Sequence, residues 1–147
     1  GPFAITPLQV ATAYAALANG GKIFQPQVVK KIIDSDKNTV QEIELKVIRI
    51  IPAEAKNIEV VRQGMKQAVT SPQGSSYILN SLPVPVAAKT GTAQTGKEDV
   101  YHNWVAVFAP YDNPQIVLIV LIENVPGMQV ASLSVAKEVL EWYFIQN

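Results

Sequence analysis

Two apolar runs near the end of the chain, His102 to Ala109 and Gln115 to Glu123, are separated only by the short connector around Tyr111-Asp-Asn-Pro114. Each has strand length and is apolar at odd and even positions alike, so each must be buried on both faces. The connector is too short for a crossover, which makes the pair antiparallel. A third run, Val84 to Gln94, reaches the same sheet through the turn Thr95-Gly-Lys-Glu-Asp99. Pro83 and Pro85 cannot donate to a ladder and confine the start of that run to a sheet edge. A sheet that is apolar on both sides needs helices on both sides. The expected class is therefore α+β, an antiparallel sheet covered by helices on both faces.

The rest of the chain supplies those helices. Thr6-Pro-Leu-Gln9 has the form of a capping box with proline in the first turn, and Asn19-Gly-Gly21 is a stop, so a helix is predicted over Pro7 to Ala18. Lys22 to Ile33 and Asn38 to Ile48 read as two strands of a solvated hairpin about Asp34-Ser-Asp-Lys-Asn38. Pro52 opens a second helix whose apolar stripe is Ile58, Val61, Met65 and Ala68 or Val69. Thr70 to Ser76 is a loop, and Ser75 to Asn80 a helical turn. A last helix spans about Val130 to Phe144. Its buried stripe is Leu133, Ala136, Val139, Leu140 and Tyr143 or Phe144, while Ser134, Lys137, Glu138 and Glu141 gather on the outer face.

The chain of 147 residues is one domain by size, with residues 22–48 as a hairpin insertion. Charged residues are 16% and hydrophobic residues 48%, against a usual charged share of about 25%. Fewer solvated positions than an independent domain carries imply a missing partner surface and a tendency to self-associate. Zero net charge and no long basic run argue against nucleic acid or an anionic membrane as partner. With no cysteine and one histidine there is no disulfide framework and no multi-histidine metal site, and no cofactor is called for. The longest apolar run, Ile116 to Ile122, is too short to span a bilayer. Gly1-Pro2 is left out of the reading.

Chemistry concentrates in Lys89-Thr-Gly-Thr92. One cation, two hydroxyls and a residue without a Cβ stand in four consecutive positions on an edge strand, which suits an extended, carboxylate-bearing guest. Lys89-Thr-Gly91, followed by Thr-Ala-Gln94, resembles the third signature motif of the penicillin-binding proteins and serine β-lactamases. The company it keeps is in the matching order: Ile5-Thr-Pro-Leu-Gln9 running into the Ala-rich helix and Gly20-Gly21 upstream, His102-Asn-Trp-Val-Ala-Val-Phe-Ala-Pro110 and Ile116 to Asn124 downstream. Together these resemble the C-terminal half of a class B, elongation-type penicillin-binding protein transpeptidase domain, over almost the whole chain.

That resemblance implies an incomplete fold of that family, with the N-terminal half absent. It implies a parent protein that cross-links peptidoglycan stem peptides as a serine-type D,D-transpeptidase, binds penicillin covalently, and lies at the extracytoplasmic face of the bacterial inner membrane. Its implied partners are stem peptides, β-lactams, the remainder of its own domain, and cell-wall elongation proteins. Carried onto this sequence, the catalytic residues are Lys89, in the charge network of the cleft, and Thr92, whose N–H is an oxyanion donor. The substrate-binding residues are Thr90, Gly91, Thr92 and Gln94. Ideal alternation sets Lys89 on the face opposite Thr90 and Thr92, and twist at Gly91 together with the edge position is expected to let all three reach one cleft. The family's Ser-x-x-Lys does not occur upstream and its Ser-x-Asn occurs nowhere, so the chain alone is expected to be inert. A β-lactamase-type hydrolase and a non-catalytic interaction module share this half of the pattern.

Three other motifs carry less. Ser134-Val-Ala-Lys137 has nucleophile spacing but follows Lys89-Thr-Gly91 and falls on a charged helix face, where Glu138 and Glu141 would pair with the amine. Gly91-Thr-Ala-Gln-Thr-Gly-Lys97 matches seven positions of a phosphate loop, yet Glu98 stands where Ser or Thr is needed and a strand follows instead of a helix. His102 at a strand start is an ordinary strand residue.

Overall fold

The structure is a computed structural model and describes residues 4–127 and 129–146; Gly1 and Pro2 lie outside the described residues. Helix α1, Pro7–Ala18, begins with the predicted capping box: the Thr6 hydroxyl accepts from the Gln9 N–H, and the Gln9 side chain accepts from the Thr6 N–H at 2.8 Å. It stops as predicted, with Gly20 and Gly21 at φ +84° and +113° and the Asn19 carboxamide oxygen accepting from the Lys22 N–H at 2.8 Å.

The predicted hairpin is broken into two ribbons. β1, Lys22–Phe24, pairs antiparallel with β4, Val47–Ile50, and β2, Lys31–Ile33, pairs with β3, Thr39–Glu42. Pro26 interrupts the first long strand, because it has no N–H to give the ladder. At the tip Asp34 Oδ1 accepts from the N–H groups of Asn38 (2.8 Å) and Asp36 (2.9 Å). The Asn38 backbone bond, then its side-chain bond, hold the Asp34 carboxyl below the usual carboxylate range. The hairpin's second side runs to Ile50, two residues beyond the predicted end.

Helix α2, Ala55–Thr70, starts three residues after Pro52, since the Ala53 N–H closes a tight turn onto the Ile51 carbonyl and Glu54 takes the N-cap position. Its buried residues are Ile58, Met65 and Val69; Val61, assigned to the stripe from sequence, is 48% exposed. The inward place between Ile58 and Met65 belongs to Arg62. Its guanidinium donates to the Ala18 carbonyl and, at 2.8 Å, to the Tyr111 carbonyl, and its Nε lies 3.3 Å from Glu59 Oε2. The guanidinium carbon also sits 5.3 Å from the centroids of both Phe108 and Tyr111. The Tyr111 hydroxyl donates to Glu59 at 2.8 Å; burial first, and then this carboxylate, push that hydroxyl above the ordinary tyrosine range.

One guanidinium thus ties the end of α1 and the Tyr111 turn to α2. Removing it leaves two partly buried carbonyls without their charged donor, a loss we put at about 2–4 kcal/mol. Arg62→Ala in the full-length protein should therefore lower the urea midpoint of the transition that unfolds this region. Arg62→Lys should recover less than half of the difference, because an ammonium cannot reproduce the fork.

The central sheet is β5, Ala87–Gln94, β6, Val100–Ala109, and β7, Ile116–Pro126, in the order β5-β6-β7 and antiparallel throughout. β6 is buried on both faces, as its composition requires. One face packs Ala87 and Phe108 against Ala18 and Leu17 of α1 and Met65 of α2. The other packs Ala88, Val105 and Val107 against Leu133, Ala136 and Leu140 of α3, Ala131–Gln146, with Leu79 of the 3-10 turn Tyr77–Ser81 and Val69 of α2 alongside. Burying one such aliphatic side chain is worth about 1.5–3 kcal/mol. Val139, placed in the α3 stripe from sequence, is 39% exposed. Asn103, buried in β6, accepts from both the Ser132 N–H (3.1 Å) and hydroxyl (2.7 Å) and donates to the Gln129 carbonyl at 2.6 Å, pinning the start of α3 to the sheet.

A carboxylate-binding strand edge as candidate site

Among the described residues β5 pairs only with β6, so its other side is a free edge. The register pairs Lys89 with Ala106, Thr90 with Val105, Gly91 with Trp104, Thr92 with Asn103 and Gln94 with Tyr101. Directly opposed residues share a face. Lys89 and Gly91 therefore fall on the α1 face, in phase with Ala87, whereas Thr90, Thr92 and Gln94 fall on the α3 face with Ala88.

Sequence alternation thus holds, and no twist at Gly91 overcomes it: the ladder runs through Gly91 without a shift in register, and its φ is not in the left-handed region. Side-chain length does the joining. The Lys89 ammonium donates to the Thr90 carbonyl at 2.6 Å, so its stem bends back to the backbone between the two faces. A residue's N–H and C=O point to the same side of an antiparallel ladder, and residues two apart share that side. The Thr92 N–H consequently points the same way as the carbonyl that receives the ammonium.

A Cβ added to Gly91 would meet only the Trp104 Cβ at 3.5 Å, an ordinary contact. The sheet does not demand glycine here, and the open backbone is what glycine supplies. Lys89, Thr90, Gly91, Thr92 and Gln94 all line one cleft of ≈ 590 Å³, whose remaining wall includes Ile5, Val10 and Tyr14 at α1 and His102 and Trp104 of β6. Burial raises the Tyr14 hydroxyl above its ordinary range. A cation, two hydroxyls and outward-facing backbone N–H groups along an open edge are the donors that a carboxylate on an extended chain requires.

The other motifs separate from this cleft. Ser134 is exposed on α3, and Lys137 pairs with Glu141 at 3.5 Å, while Glu138 takes no part. The seven-residue phosphate-loop match runs off the end of β5 into a turn, and β6 follows where a phosphate-binding helix would be needed. His102 lines the cleft wall, but its Nδ1 accepts from the Asn124 N–H at 3.3 Å, a cross-strand bond. Among the described residues no three of His, Cys, Asp or Glu gather as metal ligands.

One contact to the site was not readable from sequence. The Thr90 hydroxyl donates to the Ser75 hydroxyl at 3.2 Å, across fifteen residues and from a loop with no motif of its own.

Comparison with known proteins agrees with this architecture. The family described as the penicillin binding protein transpeptidase domain matches residues 1–142. Peptidoglycan D,D-transpeptidase MrdA of Haemophilus influenzae is 30% identical over 162 residues, which take in 100% of this chain and 25% of that protein. Among solved structures, penicillin-binding protein 2B of Streptococcus pneumoniae superposes with a TM-score of 0.84 at 24% identity, covering 97% of this chain and 25% of that one, a likeness of fold. Penicillin-binding protein A of M. tuberculosis, solved as an imipenem acyl-enzyme complex, gives 0.79 at 27% identity, over 98% of this chain and 32% of its own. The chain thus spans about a quarter of the length of the curated relatives it matches. With that family matched over residues 1–142, the chain belongs to the penicillin-binding protein transpeptidase domain family.

Proposed function

We propose that the full-length protein carrying this chain is a peptidoglycan D,D-transpeptidase of the bacterial cell envelope, acting at the extracytoplasmic face of the inner membrane, and that β5 is the edge on which its stem peptide docks. The observation that carries this reading is the convergence of Lys89, Thr90, Gly91, Thr92 and Gln94 on one cleft along a free strand edge. Thr90 and Thr92 hold the terminal carboxylate of the acyl donor through their hydroxyls. Lys89, anchored at the Thr90 carbonyl, sets the positive field at that end of the cleft.

The Thr92 N–H is one of two donors to the oxyanion that forms when a serine attacks the D-Ala-D-Ala carbonyl. One such donor supports the transition state by roughly 2.7–4 kcal/mol. The attacking serine and its lysine belong to the remainder of the transpeptidase domain, which packs on the α1 side of the cleft. That packing accounts for side chains such as Ile5 and Leu8, 58% and 62% exposed in this chain. β-Lactams occupy the cleft as analogues of the stem peptide, and cell-wall elongation proteins are the wider partners. No helix of the described residues is long and apolar enough to cross a membrane.

The test is to label the purified full-length protein with a fluorescent penicillin and map the modified peptide. The expected result is one penicillin per chain, on a serine outside residues 1–147. Absence of labelling, or a label on a residue of this chain, would refute the assignment.

A further inference from the structure

Two hydroxyls in contact share their protons unequally. A serine or threonine hydroxyl has one proton to give and can also accept, so the bond that Thr90 donates to Ser75 here turns round when an anion arrives, Ser75 then donating to Thr90 and Thr90 giving its own proton to the ligand. The pair is therefore one donor to an anion, oriented by both side chains. What fixes Thr90 depends on what fixes Ser75.

Ser75 sits on a loop with little freedom to slide. The Ser71 N–H donates to the Gln67 carbonyl at 3.0 Å, the Gly74 N–H to the Ser71 carbonyl at 2.8 Å, and the Ser76 N–H to the Ala68 carbonyl at 3.0 Å. The loop is thereby folded back onto the last turn of α2. Gly74 is pressed so closely to that turn that a Cβ would lie 2.2 Å from the Ala68 carbonyl oxygen and 2.7 Å from its carbon. Backbone on both sides leaves no flexible atom to yield. Beyond it the Tyr77 N–H donates to the Gly74 carbonyl at 3.1 Å, and Ser76 is buried, so the loop is held at both ends. Ser75 itself is exposed and is the residue this platform turns toward β5.

We propose that Ser75 is a positioning residue for carboxylate recognition, holding the Thr90 hydroxyl in the one rotamer in which the pair presents its free proton at the β5 edge. The inference rests on the transpeptidase reading above. Acting through Thr90, Ser75 bears only on ligands whose carboxylate is free, which a merely structural role would not distinguish.

The experiment measures second-order acylation of the full-length protein by benzylpenicillin and by its methyl ester, for wild type, Ser75→Ala, Ser75→Thr, Thr90→Val and the double variant Ser75→Ala/Thr90→Val. Ser75→Ala should slow the free acid about three- to tenfold, the effect of one neutral hydrogen bond, and change the ester by less than about twofold. Ser75→Thr should restore the acid rate, and Ser75→Ala should have no further effect once Thr90 is valine. Equal slowing of acid and ester, or full additivity in the double variant, would overturn the proposal while leaving the transpeptidase reading intact. A wild-type protein that neither compound acylates would instead remove the reading on which both depend.

Discussion

Incubated alone with a fluorescent penicillin, the 147-residue chain should keep its mass unchanged, while the full-length protein under the same conditions gains one penicillin per molecule. The difference is all or none. Acylation needs a hydroxyl stripped of its proton by a neighbouring base, and such a pair must lie within hydrogen-bond reach. The chain's one Ser-x-x-Lys sequence is Ser134 to Lys137, and there the serine is exposed on α3 while the amine is engaged with Glu141 at 3.5 Å. In this chain the Thr90 hydroxyl is bonded to the Ser75 hydroxyl and not to a base, and the Lys89 ammonium is bonded to the Thr90 carbonyl instead of a hydroxyl. Intact-mass measurement followed by peptide mapping reads the outcome. An adduct on Ser134 would show that α3 carries the nucleophile and would reverse the placement of the site.

The parts of the fold that sequence made legible are those whose determinants are local or whose burial is complete. α1 could be bounded at both ends because Thr6, Pro7, Gln9 and the Asn19-Gly-Gly21 stop act within one turn of the residues they cap. β6 could be placed because apolar residues on both faces leave no other environment, whereas β7, the outer strand expected to be buried on both faces, is only half-buried over Ile116 to Ile122 and owes its place to the short connector. α2 shows where such reasoning ends. Hydrophobicity favours Val61 for the inward face, yet Arg62 takes it, since two backbone carbonyls from distant segments and two aromatic rings supply what its charge needs. Those partners are brought together only by the fold. The hairpin about Asp34 to Asn38 keeps its antiparallel pairing, β2 with β3 and β1 with β4, and loses only its continuity, where Pro26 has no N–H for the ladder.

The site divides in the same way. Lys89 to Thr92 are contiguous, so their grouping needs no tertiary information, and their edge position follows from Pro83 and Pro85. That Lys89 belongs with Thr90 and Thr92 despite opposite strand faces was not derivable from alternation, which describes where a side chain leaves the backbone and not where a four-carbon stem can end. Ser75 was hidden altogether. Its role depends on how tightly Gly74 closes against Ala68, a distance no spacing rule encodes.

The claim on which the account turns is that the β5 edge recognises the substrate carboxylate, and Thr92→Val tests it with the least disturbance. Valine keeps the β-branched shape and the backbone N–H, so strand propensity and the oxyanion donor survive while the hydroxyl is lost. Thr92 is exposed, which leaves no buried hydroxyl partner to be orphaned in the fold. A hydrogen bond to a charged group contributes roughly 1.5–3 kcal/mol, equivalent to about tenfold to a hundredfold in second-order rate. The control is Ser134→Ala on the exposed face of α3, where substitutions usually stay within about 0.5 kcal/mol. Stopped-flow acylation of the full-length protein should show Thr92→Val slowed by that factor with unchanged thermal unfolding, and Ser134→Ala within about twofold of wild type. A Thr92→Val protein acylated at the wild-type rate beside a slow Ser134→Ala protein would contradict the assignment of the β5 edge as the recognition site.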